Sequence, residues 1–164
     1  MKTLTILRHA KSSWNIPGLV DFDRPLNGRG KRNAPEMGQR MKEAGIRPSL
    51  IISSPAKRAW TTAKLVAAEI GYPIEFLQRE PDLYHASTEE LFDVISRQDE
   101  GFNNLVLVGH NPGLTDLANI LVPGLTSNLP TAGLVSVLID SPTWELRGRK
   151  SAELLVHDYP KKQH

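Results

Sequence analysis

Leu105-Val106-Leu107-Val108-Gly109-His110-Asn111-Pro112-Gly113 is the stretch on which the fold turns. Four consecutive apolar residues without a polar alternate read as a strand covered on both faces, the signature of a parallel sheet between helical layers. The chain then breaks at polar and turn-forming residues. Leu114, Leu117, Ala118 and Leu121 follow at helical spacing. A buried strand, a polar turn and an amphipathic helix make half of a βαβ unit.

The same grammar repeats on both sides. Residues 3–7 are β-branched and apolar and run straight into Arg8-His9. Residues 49–53 form a short buried strand, followed by Ser54-Pro55 as an N-cap and first-turn proline. Ala59, Ala63, Val66, Ala67 and Ile70 then recur at helical spacing up to Gly71. Ser87 and Glu90 make a capping box ahead of Leu91, Val94 and Ile95. Residues 27–44 are helical in content, with a kink or break expected at Pro35, which cannot donate to the carbonyl four residues earlier. Residues 74–77, 134–139 and 152–156 are further strand candidates. Alternating strands and helices predict an α/β protein, a three-layer α/β/α sandwich around a mostly parallel sheet. Residues 1–164 read as a single domain whose tail, from Pro160 to His164, is expected to fray.

Composition narrows the function classes. Twenty Lys and Arg against eighteen Asp and Glu leave a formal charge of +2, without the clustered basic stripe that a polyanion needs, so nucleic acid is not an expected partner. The chain has no cysteine, which excludes disulfides, thiolate nucleophiles and thiolate zinc sites. No apolar run has the length of a membrane span and no signal peptide precedes residue 3, so the expectation is a cytoplasmic protein without a membrane partner. A monomer is the working expectation.

In open α/β sheets, ligands bind beyond the carboxyl ends of the strands. Three such ends carry Arg8-His9, Ser53-Ser54 leading to Arg58, and Gly109-His110. If those strands are neighbours, two arginines and two histidines converge on one crevice. Guanidiniums meeting without carboxylate partners repel each other, an arrangement that a bound phosphate dianion resolves. A neutral imidazole among them can attack phosphorus while the cations neutralise the equatorial oxygens. The pocket brings its own cations, so neither metal nor cofactor is expected. Gly109-His110-Asn111-Pro112-Gly113 has the outline of a G-x-S-x-G elbow, but asparagine stands where serine must be. Gly28-Arg29-Gly30 follows no strand and does not extend to a dinucleotide fingerprint.

Arg8-His9-Ala10-Lys11-Ser12-Ser13-Trp14-Asn15 resembles the RHGxSxWN signature of the histidine phosphatase superfamily, which includes the phosphoglycerate mutases, with Ala10 in place of the usual glycine. Asp23-Arg24-Pro25-Leu26-Asn27, with Gly30, is similar to the (R)PLTxxG element. Ser53-Ser54-Pro55 with Arg58-Ala59 and Thr62-Ala63 is similar to SSxxxRAxxTA, and Val108-Gly109-His110-Asn111 to the second-histidine element. The short length, with no room for a large lid, most resembles the SixA-type phosphohistidine phosphatases. The resemblance implies that His9 becomes phosphohistidine and that Arg8, Arg58 and His110 complete the phosphate pocket, with Asn15 also touching phosphate. It implies an acid/base carboxylate at Asp82, with Glu80 as the alternative. Asp82 reads equally well as a turn residue after Pro81. The implied reaction is metal-independent phosphoryl transfer to His9 and then to water.

The implied partner is a phosphorylated protein, such as a histidine-containing phosphotransfer domain, because a pocket without a lid admits a bulky substrate. Hydrolysis of a small phosphate ester, or a phosphate-binding module that has lost turnover, are the rival readings. Among the remaining candidates, Asp21 and Asp23 are expected to cap or to pair with Arg24, and Trp14 and Trp60 to pack. His85, His157 and His164 read as ordinary surface or core histidines.

Overall fold

The computed structural model describes residues 1–14, 16–148 and 152–162. Six strands form one sheet: β1 (Lys2–Arg8), β2 (Leu50–Ser53), β3 (Gln78–Arg79), β4 (Asn104–Gly109), β5 (Leu134–Ile139) and β6 (Ala152–Asp158). Their order is β3-β2-β4-β1-β5-β6. The pairings β1–β4, β2–β4 and β2–β3 are parallel, whereas β1–β5 and β5–β6 are antiparallel. The three strands with charged or polar ends are therefore consecutive in the sheet. Arg8 stands opposite Gly109 and Ser53 opposite Val108, which levels their carboxyl ends.

Among the described residues, four α-helices cover the two faces: α1 (Gly28–Glu43), α2 (Lys57–Ile70), α3 (Thr88–Ser96) and α4 (Gly113–Leu121). Strand side chains alternate between the faces. Leu105 and Leu107 of β4, Leu50 and Ile52 of β2, and Leu4 and Ile6 of β1 join the core shared with α3 and α4. Val106, Val108, Ile51 and Leu7 join the core shared with α1 and α2. Three layers result, and β4 is apolar throughout because both of its faces are buried. At about 25 cal/mol per Å² of apolar surface, each large side chain sealed in these cores adds roughly 1.5–3 kcal/mol before chain entropy is counted. No described helix is long and apolar enough to cross a membrane.

Local structure departs from the sequence reading in four places. α1 runs unbroken through Pro35; Ala34, Met37, Gly38 and Met41 are buried on either side of the missing bond. A Cβ on Gly38 would lie 2.8 Å from Glu69 Cβ, so this glycine sets how closely α1 meets α2. Residues 74–77 are not a strand: Ile74–Phe76 make one 3-10 turn whose Ile74 and Phe76 face solvent, and pairing starts at Gln78. α2 begins at Lys57 rather than at Pro55, because Ala56 has an extended ψ of 138°; the Ser54 hydroxyl still accepts from Ala56 N–H, and it also meets His110 in the site. The tail is held as far as Lys162: Arg40 donates to the Tyr159 carbonyl at 2.8 Å and to that of Pro160 at 3.1 Å, and Lys162 N–H closes on Tyr159.

Candidate active site

The level ends of β1, β2 and β4 open into a cavity of about 360 Å³ lined by Arg8, His9, Arg58 and His110, together with Lys11, Ser12, Trp14, Asp21, Arg24, His85, Asn111 and Thr131. The four residues expected to converge do converge. Asn15 lies outside the described residues.

His9 follows β1 directly. Its main chain is pinned on both sides, His9 N–H to Gly109 and Ala132 N–H to the His9 carbonyl, each at 3.0 Å. Its Nδ1 lies 2.7 Å from the Ala10 carbonyl. A carbonyl only accepts, so Nδ1 carries the proton and Nε2 keeps the lone pair. The ring is 5.1 Å, centroid to centroid, from that of His110. Burial pushes His9 down to about 3, helped by the charges of Arg58, Arg8 and Arg24 and opposed by the Ala10 hydrogen bond. Burial likewise lowers His110 to about 3, with His9, Arg58 and His85 adding to the shift and Asp21 opposing it. Both rings are neutral at physiological pH. His110 is held by Ser54, whose Oγ is 2.8 Å from its Nε2, and its Nδ1 is buried without a partner.

The arginines are positioned from outside the pocket. Arg8 Nη1 donates to the Leu129 carbonyl at 3.0 Å. Asn111 fixes that carbonyl, donating to it at 2.9 Å while its own Oδ1 receives Thr115. Arg58, second residue of α2, is only 3% exposed. It donates from Nη1 to the Asp21 carbonyl at 2.7 Å and from Nη2 to Asp21 Oδ2 at 3.0 Å. The Nε atoms of both Arg8 and Arg58 are buried without partners. Burial, then the neighbouring charge of Arg58, lowers the pKa of Arg8, the expected signature of two guanidiniums brought together. Thr62 ties the two arms: its Oγ1 accepts Ala10 N–H at 3.0 Å and donates to the Arg58 carbonyl at 2.8 Å.

A carboxylate does stand among these cations, which corrects the sequence reading. Asp21 pairs with Arg24 as expected, at 3.0 Å, but also with Arg58, and receives the Tyr84 hydroxyl. Burial alone would raise its pKa; hydrogen bonds from Tyr84, Arg58 and Arg24 outweigh that and hold it well below the usual carboxylate range. Arg24 also donates to Ser12 and stacks over Trp14 at 3.5 Å. Trp14, expected to pack, does so against Arg24 while staying 76% exposed at the cavity mouth. Trp60 does pack, partly buried against the α1–α2 core.

Asp82 and Glu80 are not brought to the cavity. The 3-10 turn Pro81–Leu83 buries Leu83 and leaves Asp82 outward, where its carboxylate lies 3.1 Å from Arg97; Glu80 lies 3.8 Å from the same guanidinium. His85, read as an ordinary histidine, lines the cavity instead. The one signal that pointed this way was its neighbourhood, Tyr84-His85 shortly after the third strand. Among the described residues, no group of three or more His, Asp or Glu is placed to hold a metal ion.

Residues 4–110 match the model of the histidine phosphatase superfamily (branch 1). An uncharacterized chloroplastic protein of Arabidopsis thaliana is 30% identical over 152 residues, covering 88% of this chain and 69% of that one. The crystal structure of the putative phosphohistidine phosphatase SixA from Agrobacterium tumefaciens superposes with a TM-score of 0.82 at 28% identity, over 97% of this chain and 98% of that one. A protein histidine phosphatase SixA complexed with tungstate shares the fold, with a TM-score of 0.79 at 21% identity over 96% of each chain.

Proposed function

This chain belongs to the histidine phosphatase superfamily, with a SixA-like structure and no large lid, and from that premise we propose that it hydrolyses protein phosphohistidine through a phosphoenzyme formed on His9. The observation that carries the reading is the set of unmet donors around a neutral nucleophile. Arg8 Nε and Arg58 Nε are buried and unpaired, beside an imidazole whose Nε2 lone pair is set free by the Nδ1 bond to Ala10. Buried polar atoms without partners cost free energy unless a ligand completes them, and a phosphoryl group supplies the acceptors.

In the first half-reaction His9 Nε2 attacks phosphorus in line with the leaving nitrogen. Arg8 and Arg58 hold the equatorial oxygens as charge redistributes. Ser54 Oγ, 2.8 Å from Nε2, holds the neutral His110 ring beside His9. Water then attacks the phosphohistidine and releases phosphate, restoring His9. The open mouth favours a substrate carried on a protein surface.

The test supplies a phosphorylated histidine-containing phosphotransfer domain and a panel of sugar phosphates, following phosphate release with wild type and His9→Ala. Release from the phosphoprotein by wild type alone supports the proposal. Preference for the sugar phosphates shifts it to small esters, and release from neither, with tight tungstate binding, indicates a binding module. Unchanged release by His9→Ala overturns the nucleophile. Rapid quench of the wild type should trap an acid-labile, base-stable phosphoenzyme.

A further inference from the structure

The cavity lacks both carboxylates expected to handle protons, yet it contains a titratable group that the reaction outlined above leaves unused. His85 stands at the mouth, its Nε2 3.4 Å from Asp21 Oδ2 and its ring 5.9 Å from that of His110. Tyr84 stacks against it at 4.0 Å between centroids. Its backbone has φ of 55°, a left-handed conformation that non-glycine residues adopt at a cost. That conformation aims an imidazole into the cavity, directly after a turn whose own carboxylate points away.

We infer that His85 is the acid/base residue of the phosphoryl transfer, held by Asp21 in the role expected of Asp82. This rests on the proposed phosphatase reaction and adds to it the group that moves the leaving-group proton. As His9 Nε2 bonds to phosphorus and the bond from phosphorus to the leaving atom breaks, the His85 imidazolium gives its proton to that atom. Neutral His85 then takes a proton from the attacking water as the new P–O bond forms and the Nε2–P bond breaks. The cycle consumes one water and leaves His85 protonated again. Asp21 is the fixed anion beside the imidazolium, and it is itself fixed by Arg24, Arg58 and Tyr84. The charged and titratable groups that meet His85 are Asp21 from the turn after β1, His110 after β4, and the adjacent Tyr84, with Arg58 of α2 standing behind Asp21.

General acid catalysis matters in proportion to how poor the leaving group is. His85→Asn keeps a residue type that tolerates positive φ, so the fold is retained, and His85→Gln serves as a second variant. Both are compared with wild type on an alkyl phosphate, on 4-nitrophenyl phosphate and on the phosphorylated transfer domain. The expected result is a fall of kcat/KM of about 100-fold on the alkyl ester and within about 5-fold on the other two, with loss of the alkaline limb of the alkyl-ester pH profile. A merely structural role would lower all three substrates alike and leave the profile unchanged; that outcome overturns the inference. Wild type that turns over and traps phosphoenzyme while the variants show no leaving-group dependence overturns this inference alone. Wild type without turnover on any substrate overturns both readings.

Discussion

Asp21 grips Arg58 twice, through its carboxylate at 3.0 Å and through its main-chain carbonyl at 2.7 Å. The grip orients a buried guanidinium while leaving its Nε unmet, and it sets a negative charge at the edge of a cavity suited to an anion. These two effects oppose each other in binding. Asp21→Asn keeps the main-chain half of the grip and removes the charge. Tungstate should bind about 10-fold tighter to this variant, since a unit charge a few ångströms away is worth on the order of a kcal/mol or more in a partly buried site. Turnover should fall at the same time, because His85 loses its anion. Calorimetric titration with tungstate beside steady-state kinetics separates the two; weaker tungstate binding would mean that orienting Arg58 outweighs the charge.

The neutral histidines make stability depend on pH. His9 and His110 have pKa values near 3 in the folded protein against an ordinary 6.5, so unfolding takes up protons between those limits. Their contribution is whole above pH 6.5 and is lost as pH falls toward 3. A tenfold difference in proton affinity between the folded and unfolded chain corresponds to about 1.4 kcal/mol. Urea midpoints measured from pH 7 to pH 4 should fall steadily, and His9→Asn should flatten part of the slope. Sulfate, dianionic throughout, should restore stability most at the acid end. A midpoint that is flat over this range, or one that rises, would contradict the assignment of two buried neutral rings.

Much of this site could be read from the sequence because its first four residues stand at strand ends or in the helix turn that follows one. Arg8 closes β1, His9 and His110 follow β1 and β4, and Arg58 lies in the first turn of the helix after β2; the apolar runs of these strands are plain, and a parallel sheet brings such ends together. Asp21, Tyr84 and His85 belong to loops, where no periodicity tells which way a side chain points. Their partners are remote: Asp21 meets Arg58 across 37 positions and Tyr84 across 63. Asp82 illustrates the limit. Its place after β3 was identifiable, but whether the turn aims residue 82 or residue 85 inward depends on Leu83, which fills the core and turns its neighbour out. A break at Pro35 and the strand expected at residues 74–77 did not form for a related reason, since burial on a neighbouring helix, or its absence, decided both.

Asp82→Asn follows from that geometry. The residue is exposed and engages Arg97 on the surface, and exposed ion pairs contribute about 0–1 kcal/mol. Its kcat/KM should stay within about 2-fold of wild type on esters and on phosphohistidine alike, and its thermal midpoint should barely move. A loss confined to alkyl esters would return the acid/base role to Asp82 and take it from His85.

Thr62 offers a test of how the two halves of the phosphate cradle are joined. Its hydroxyl is fully buried, accepts from Ala10 N–H beside the nucleophile and donates to the carbonyl of Arg58. Thr62→Val conserves shape but removes both bonds, leaving a buried N–H unmet at a cost of about 1–3 kcal/mol. Thr62→Ser keeps the hydroxyl and loses only a methyl group. If the hydroxyl registers His9 against Arg58, the valine variant should lose kcat beyond what its stability loss explains, while the serine variant recovers most of it at the same temperature. Equal kcat in the two variants, with only the denaturation midpoints differing, would show that Thr62 stabilises the fold without aligning the site.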